Sequence, residues 1–195
     1  MLLLGAGFDT RAQRLASLKA SAVRVVEVDT PDTIATKVKI LTEHLGSLPT
    51  TLRFVAMDFT AGSLGGLFDR GLDGTVPTIC IWQGVSYYLP PPTVLAVLNF
   101  AKRDLSPGSL FGFDCCTPLM LEENDRIPGI NFNIRRLKSI GEPYRFGMFP
   151  EEMKRLLEKE GFSNVAVVDQ ARLETKYLES STMPDGMWYV VTAHN

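Results

Sequence analysis

Several things are scarce in this 195-residue chain, and each absence excludes a class of protein. No apolar run approaches the ~20 residues that a membrane-spanning helix requires. Met1-Leu2-Leu3-Leu4 is apolar but has neither the basic stretch nor the cleavage site of a secretion signal, so it reads as a buried strand. Cysteine occurs three times, at Cys80, Cys115 and Cys116. An odd number with two adjacent builds no disulfide framework and points to a reducing, cytoplasmic setting. The two histidines, His44 and His194, share no ligand spacing with the cysteines, so no metal site is expected. Charge of one sign is also lacking: 20 basic against 22 acidic residues, spread along the chain. That offers no electrostatic footprint for nucleic acid or an anionic membrane. No Ser/His/Asp or Cys/His constellation is visible, and repeats, low-complexity tracts and linkers are missing too.

What is present is a soluble balance of 45% apolar and 22% charged residues, long enough for one domain over 1–195 with one core. Strands are predicted at 1–5, 23–28, 52–57, 76–83, 108–114, 164–169 and 187–193. Val23 to Val28 and Thr78 to Trp82 are continuously apolar, as in a parallel sheet covered on both sides. Helical stripes lie between: Ile34, Val38, Leu41 and Leu45, then Val94, Leu98, Ala101 and Leu105. Thr30-Pro31 supplies a cap and a first-turn proline, and Pro150 opens a helix that Gly161 ends. Asp9 is placed to cap a shorter helix with Ala12, Leu15 and Leu18 inward. The order βαβαβαβαβ makes an open doubly wound α/β sheet. Residues 115–148, rich in Pro, Gly, Asn and Arg, form a long segment expected to cover a site. No convincing helix separates the last two strands, which predicts a β-hairpin with the final strand antiparallel.

Chemistry gathers at four strand ends. Gly5-Ala6-Gly7 after the first strand allows a tight turn and close approach of a ligand to the backbone. A dinucleotide fingerprint needs a third glycine where Thr10 stands, which disfavours a nicotinamide oxidoreductase. Glu27 and Asp29 end the second strand, and Asp29 lies 22 residues after Gly7, where a carboxylate can accept from ribose hydroxyls. Both acids share one face, so periodicity does not choose between them. Asp58 and Phe59 follow the third strand; the acid can accept from an adenine amino group, cap a helix, or do both. Gln83, Tyr87 and Tyr88 follow the fourth, where a second substrate would meet a nucleotide cofactor, and one of the tyrosines is expected in the core.

Gly-Ala-Gly-Phe-Asp-Thr-Arg, Glu-Val-Asp-x-Pro followed by Lys37, the Asp-Phe pair and Gly-Val-x-x-Tyr-Leu together resemble the leucine carboxyl methyltransferase family. Arg145-Phe146-Gly147 with Pro150-Glu151-Glu152 continues the likeness. The resemblance implies a Rossmann-like class I methyltransferase fold, a seven-stranded, mostly parallel sheet with the last strand antiparallel. It implies S-adenosyl-L-methionine as cofactor, held by Gly5, Ala6, Gly7, Asp29, Asp58, Phe59 and Gln83. The family pattern has Glu at position 83, and Gln keeps the acceptor but loses the charge, so weaker cofactor binding is expected. Family members also carry a helical segment before the first strand, in which Met1 already stands; weak binding and slow turnover of this chain follow as an expectation.

The expected reaction is in-line O-methylation of a carboxylate or hydroxyl on a small molecule or peptide, with neither nucleic acid nor membrane as partner. A carboxylate acceptor is ionised at neutral pH and needs no general base. Tyr88 is the candidate for orienting a hydroxyl. Arg126, Arg135, Arg136 and Arg145 are candidates to clamp an acidic acceptor, with Arg145 first. The competing reading is a degenerate nucleotide-binding module of the same fold.

Overall fold

The computed structural model describes residues 1–14, 23–123, 129–178 and 186–195. Strands β1 (Leu2–Leu4), β2 (Val25–Asp29), β3 (Leu52–Ala56), β4 (Ile79–Trp82) and β5 (Leu110–Cys116) pair in parallel. β6 (Ser163–Asp169) and β7 (Trp188–His194) complete one sheet in the order β3-β2-β1-β4-β5-β7-β6, with β7 antiparallel to both neighbours. The strand order reverses at β1, which starts between β2 and β4, so a crevice opens there beyond the strand ends. β1 is short, yet its three leucines are at most 2% exposed, as a central parallel strand demands.

Helices α1 (Arg11–Arg14), α2 (Pro31–Leu45), α3 (Pro91–Arg103), α4 (Ile130–Ser139), α5 (Pro150–Lys159) and α6 (Gln170–Tyr177) connect or flank the strands. The stripe Val94, Leu98, Ala101 and Leu105 is buried as its spacing predicts, against Trp82 and Phe111 in the main core. Asp9 accepts from the Arg11 amide at 2.7 Å and so starts α1; Leu15 and Leu18 lie outside the described residues.

Four expectations need correction. The last two strands are antiparallel but are not a simple hairpin, because α6 stands between them. Its buried positions are Gln170 and Glu174, polar residues four apart, so no apolar stripe announces it. Asp169 caps it by accepting from the Arg172 amide at 2.9 Å. In α2 the buried side is Ile34 with Lys37, while Leu45 is 50% exposed. Thr30 precedes α2, but its hydroxyl pairs with that of Thr33 rather than capping an amide. Finally, the 78–82 run is not covered on both faces, since Ile79 is 51% exposed.

Core truncations should follow this burial. Leu157→Ala, at a position with no exposure, should lose about 2–5 kcal/mol in urea denaturation. Leu45→Ala should stay within about 0.5 kcal/mol of the parent.

Candidate functional site

Parallel strands send their C-terminal ends to one edge, so the turns after β1 to β4 meet there. Gly5 and Gly7 have φ of +64° and +43°, conformations that side chains resist. A Cβ on Gly5 would lie 2.2 Å from Val85 Cγ2, whereas one on Gly7 would meet nothing within 4 Å. Gly5 is therefore required by packing and Gly7 by its backbone angle alone. The Ala6 amide donates to Val28 O at 3.0 Å and the Asp9 amide to Ala6 O at 2.8 Å. The Gly7 amide donates to Asp29 Oδ2 at 2.7 Å, and the Thr30 amide to Asp29 Oδ1 at 2.7 Å.

Glu27 and Asp29 share a face of β2 but hold different positions. Asp29 sits at the strand tip, half-buried, with a lone pair left on each oxygen. Glu27 lies deeper and is wholly buried, its Oε2 2.5 Å from Lys37 Nζ, which is itself 2% exposed. The contact is a charge-assisted one between two buried groups. Lys37 Nζ also donates to Ala6 O at 3.4 Å, linking α2 to the glycine turn. Burial pushes the Glu27 carboxyl above its ordinary pKa, and the Lys37 ammonium opposes that rise.

Asp58 is exposed and accepts from the Thr60 amide at 2.8 Å and hydroxyl at 2.7 Å, which hold its carboxyl below the ordinary value. It caps a turn rather than an α-helix. Phe59 lies beside it, packed on the main core. After β4, Gln83 Oε1 accepts from Arg11 Nη2 at 2.9 Å, and Arg11 Nε also meets Asp9 at 2.7 Å. Tyr87 is the core tyrosine: it packs 4.7 Å from Tyr88, 5.5 Å from Tyr144 and 4.6 Å from Trp188 between ring centroids. Tyr88 is half-exposed, and burial raises its pKa further above the ordinary phenol value.

Gly5, Asp29, Asp58, Phe59, Tyr88 and Arg145 all line one cleft of about 450 Å³, within the usual size of a small-molecule site. Gly141, Glu142 and Pro143 form its rim. Ala6, Gly7 and Gln83 line an adjoining hollow of about 330 Å³, and Gly5 and Gly84 belong to both. Arg145 hangs over the cleft because its amide and that of Phe146 both donate to Tyr87 O, at 2.7 and 3.2 Å. Of the other candidate arginines, the described ones, Arg135 and Arg136, do not line the cleft. Arg135 is exposed and pairs with Glu123 at 3.4 Å, Arg136 is exposed, and Arg126 lies outside the described residues.

Three contributors escaped the sequence reading: Arg11, the burial of Lys37, and Asp114. Asp114 Oδ1 accepts from the Gly84 amide at 2.8 Å, and its backbone carbonyl accepts from the Ser86 hydroxyl at 2.6 Å. A lone acid inside the apolar strand Leu-Phe-Gly-Phe-Asp-Cys-Cys was the available signal.

The family model for leucine carboxyl methyltransferase matches residues 1–102, which carry all four strand ends. The chain belongs to the leucine carboxyl methyltransferase family. A Mycolicibacterium smegmatis protein is 31% identical over 157 residues, 80% of this chain and 49% of its own length. Bacillus subtilis YktD is 30% identical over 161 residues, 82% of this chain and 52% of its own. Both carry the name "putative S-adenosyl-L-methionine-dependent methyltransferase". The chain thus spans about half the length of these relatives. In fold it is similar to Haemonchus contortus phosphoethanolamine N-methyltransferase 2, solved with S-adenosyl-L-methionine. The TM-score is 0.66 at 12% identity, over 100% of this chain and 48% of that one.

Beside this cleft, the Glu27–Lys37 pair should be a stability element. Lys37→Met leaves a buried carboxylate unpaired and should lower unfolding free energy by about 3–5 kcal/mol in urea. The double variant Glu27→Gln/Lys37→Met should recover much of that loss; no recovery would mean that Lys37 acts mainly through Ala6 O.

Proposed function

We infer that this chain is the cofactor-binding core of an S-adenosyl-L-methionine-dependent O-methyltransferase acting on a carboxylate or hydroxyl of a small molecule or peptide. The observation that carries this reading is the convergence of Asp29, Asp58 and Phe59 on one cleft beside the glycine turn. Asp29 suits a ribose, because backbone amides orient both its oxygens while leaving acceptor capacity for two hydroxyls. Asp58 and Phe59 suit an adenine, as acceptor and apolar contact. Gly5, Ala6, Gly7 and Gln83 suit the amino-acid end, in the hollow that shares Gly5 with the cleft. There Gln83 already accepts from Arg11 and carries no charge, which supports weaker attraction for an ammonium than a Glu would give.

When bound, S-adenosylmethionine supplies an electrophilic methyl group for in-line displacement. The chain's own work is alignment and exclusion of water. The rim at 141–143 supports a covering role for 115–148 within a single domain. Arg145 can clamp an anionic acceptor by two parallel bonds. A carboxylate acceptor needs no base, and Tyr88, a neutral phenol whose pKa burial raises further, can orient a hydroxyl without deprotonating it. Three buried free thiols support a reducing, cytoplasmic setting.

Calorimetry with S-adenosylhomocysteine tests the cofactor assignment: the chain should bind it, and Asp29→Ala should weaken binding at least about tenfold. Labelled S-adenosylmethionine with a metabolite extract then tests transfer. Binding without transfer would favour the degenerate module, and no binding would remove both readings. With an anionic acceptor in hand, Arg145→Ala should raise KM about tenfold or more with little change in kcat. An unchanged KM would remove Arg145 from the acceptor site.

A further inference from the structure

The strand register carries a row of side chains past the cofactor cleft. Leu4 pairs with Val28 and Trp82, so the next residue, Gly5, stands between Asp29 and Gln83. Trp82 pairs with Phe113, so Gln83 stands beside Asp114, and Asp114 pairs with Val190 of β7. Two strand spacings separate Gly5 from Asp114, which is ~10 Å. At the far end of this row lies a recess of about 220 Å³ bounded by Tyr87, Asp114, Gln170, Leu173, Trp188 and Tyr189.

Three properties of that recess select a ligand. Asp114 is half-buried, and its carboxylate meets the Gly84 amide but makes no ion pair among the described residues. Among the described residues no lysine or arginine lines the recess, so a bound cation would relieve an uncompensated charge. Gln170 is 8% exposed, and its Nε2 donates to Glu174 Oε1 at 2.6 Å, which fixes the orientation of the amide. Gln170 Oε1 is then a buried acceptor with no donor among the described residues. The walls include Tyr87 and Trp188, with centroids 4.6 Å apart and planes at 72°, and aromatic rings attract cations at their faces. Burial also holds the Asp114 carboxyl above its ordinary pKa, as expected for an acid lacking a cation.

We propose that this recess binds a small protonated primary or secondary amine, its ammonium on Asp114 and Gln170 Oε1 and its carbon skeleton against Tyr87 and Trp188. Resting on the methyltransferase reading above, it seats the amino group of the methyl acceptor, one strand beyond Gln83. Two acceptors require N–H donors, so a quaternary ammonium is a poorer fit than a primary one. Anions are disfavoured by Asp114.

The test is a titration of the full chain with benzylamine, benzyl alcohol and benzoate, followed by amide and indole NMR, with and without S-adenosylhomocysteine. Benzylamine should shift the Gln170, Trp188 and Asp114 signals and bind about tenfold or more tighter than the other two. Asp114→Asn keeps an acceptor for the Gly84 amide and should weaken benzylamine about tenfold. Leu173→Trp fills the recess, should abolish its binding, and should still bind S-adenosylhomocysteine as the parent does. Equal binding of the three probes, or parental benzylamine affinity in both variants, overturns the amine site. In the transfer assay benzylamine should compete with the acceptor and not with S-adenosylmethionine; transfer unaffected at saturating benzylamine overturns the acceptor role. Failure to bind S-adenosylhomocysteine would sink the cofactor reading separately.

Discussion

The site rests on the Asp29 carboxylate, which ties the glycine turn to the tip of β2. Its two oxygens take amides from two different loops, Gly7 and Thr30, each at 2.7 Å. Charge-assisted bonds of this kind are roughly twice as strong as neutral ones, so a single side chain sets the spacing of two loops. Beneath it the Glu27–Lys37 pair fills the space under the turn and reaches Ala6 O from below. Two acids on one strand thus do different work because they differ in depth. The buried one is matched to an ammonium, and the outer one orders amides at the edge of a cleft.

The opposite rim is built on the same logic from β5. Asp114 holds the Gly84 amide, and the main chain at Tyr87 O receives two amides from Arg145 and Phe146. The Met148 amide donates to Cys116 O at 3.0 Å, the Tyr189 hydroxyl donates to Met148 O at 2.9 Å, and Gly147 packs on Thr117 O, where a Cβ would lie only 2.9 Å away. Residues 145–148 are therefore laid along the end of β5, and their neighbours at 141–143 are carried over the cleft. The two walls of the cleft meet at Gly5, whose missing side chain lets Val85 close against it.

Much of this was legible in the residues. Apolar runs gave the parallel strands, and Gly5, Asp29, Asp58, Phe59, Tyr88 and Arg145 converge in one cleft as expected for strand-end residues. What escaped was polar. Lys37 occupies the buried side of α2, where an apolar stripe was read through Val38, Leu41 and Leu45, because its charge is neutralised by a residue ten positions earlier. The helix Gln170–Tyr177 buries Gln170 and Glu174 against each other, so periodicity had nothing apolar to follow. Asp114 makes contacts 28 and 30 residues away, which no local pattern reports. Pairing across the fold decides such positions, whereas hydrophobic spacing decides only those whose partner is the core.

The central claim is that the cleft between Asp29 and Arg145 receives a nucleoside through its ribose and base. A crystal structure of the complex with S-adenosylhomocysteine tests it most directly. The expected result has both ribose hydroxyls on Asp29, with its bond to the Gly7 amide retained, and the base between Asp58 and Phe59. A ligand bound elsewhere, or Asp29 still closed on the two amides with no hydroxyl in reach, would contradict it.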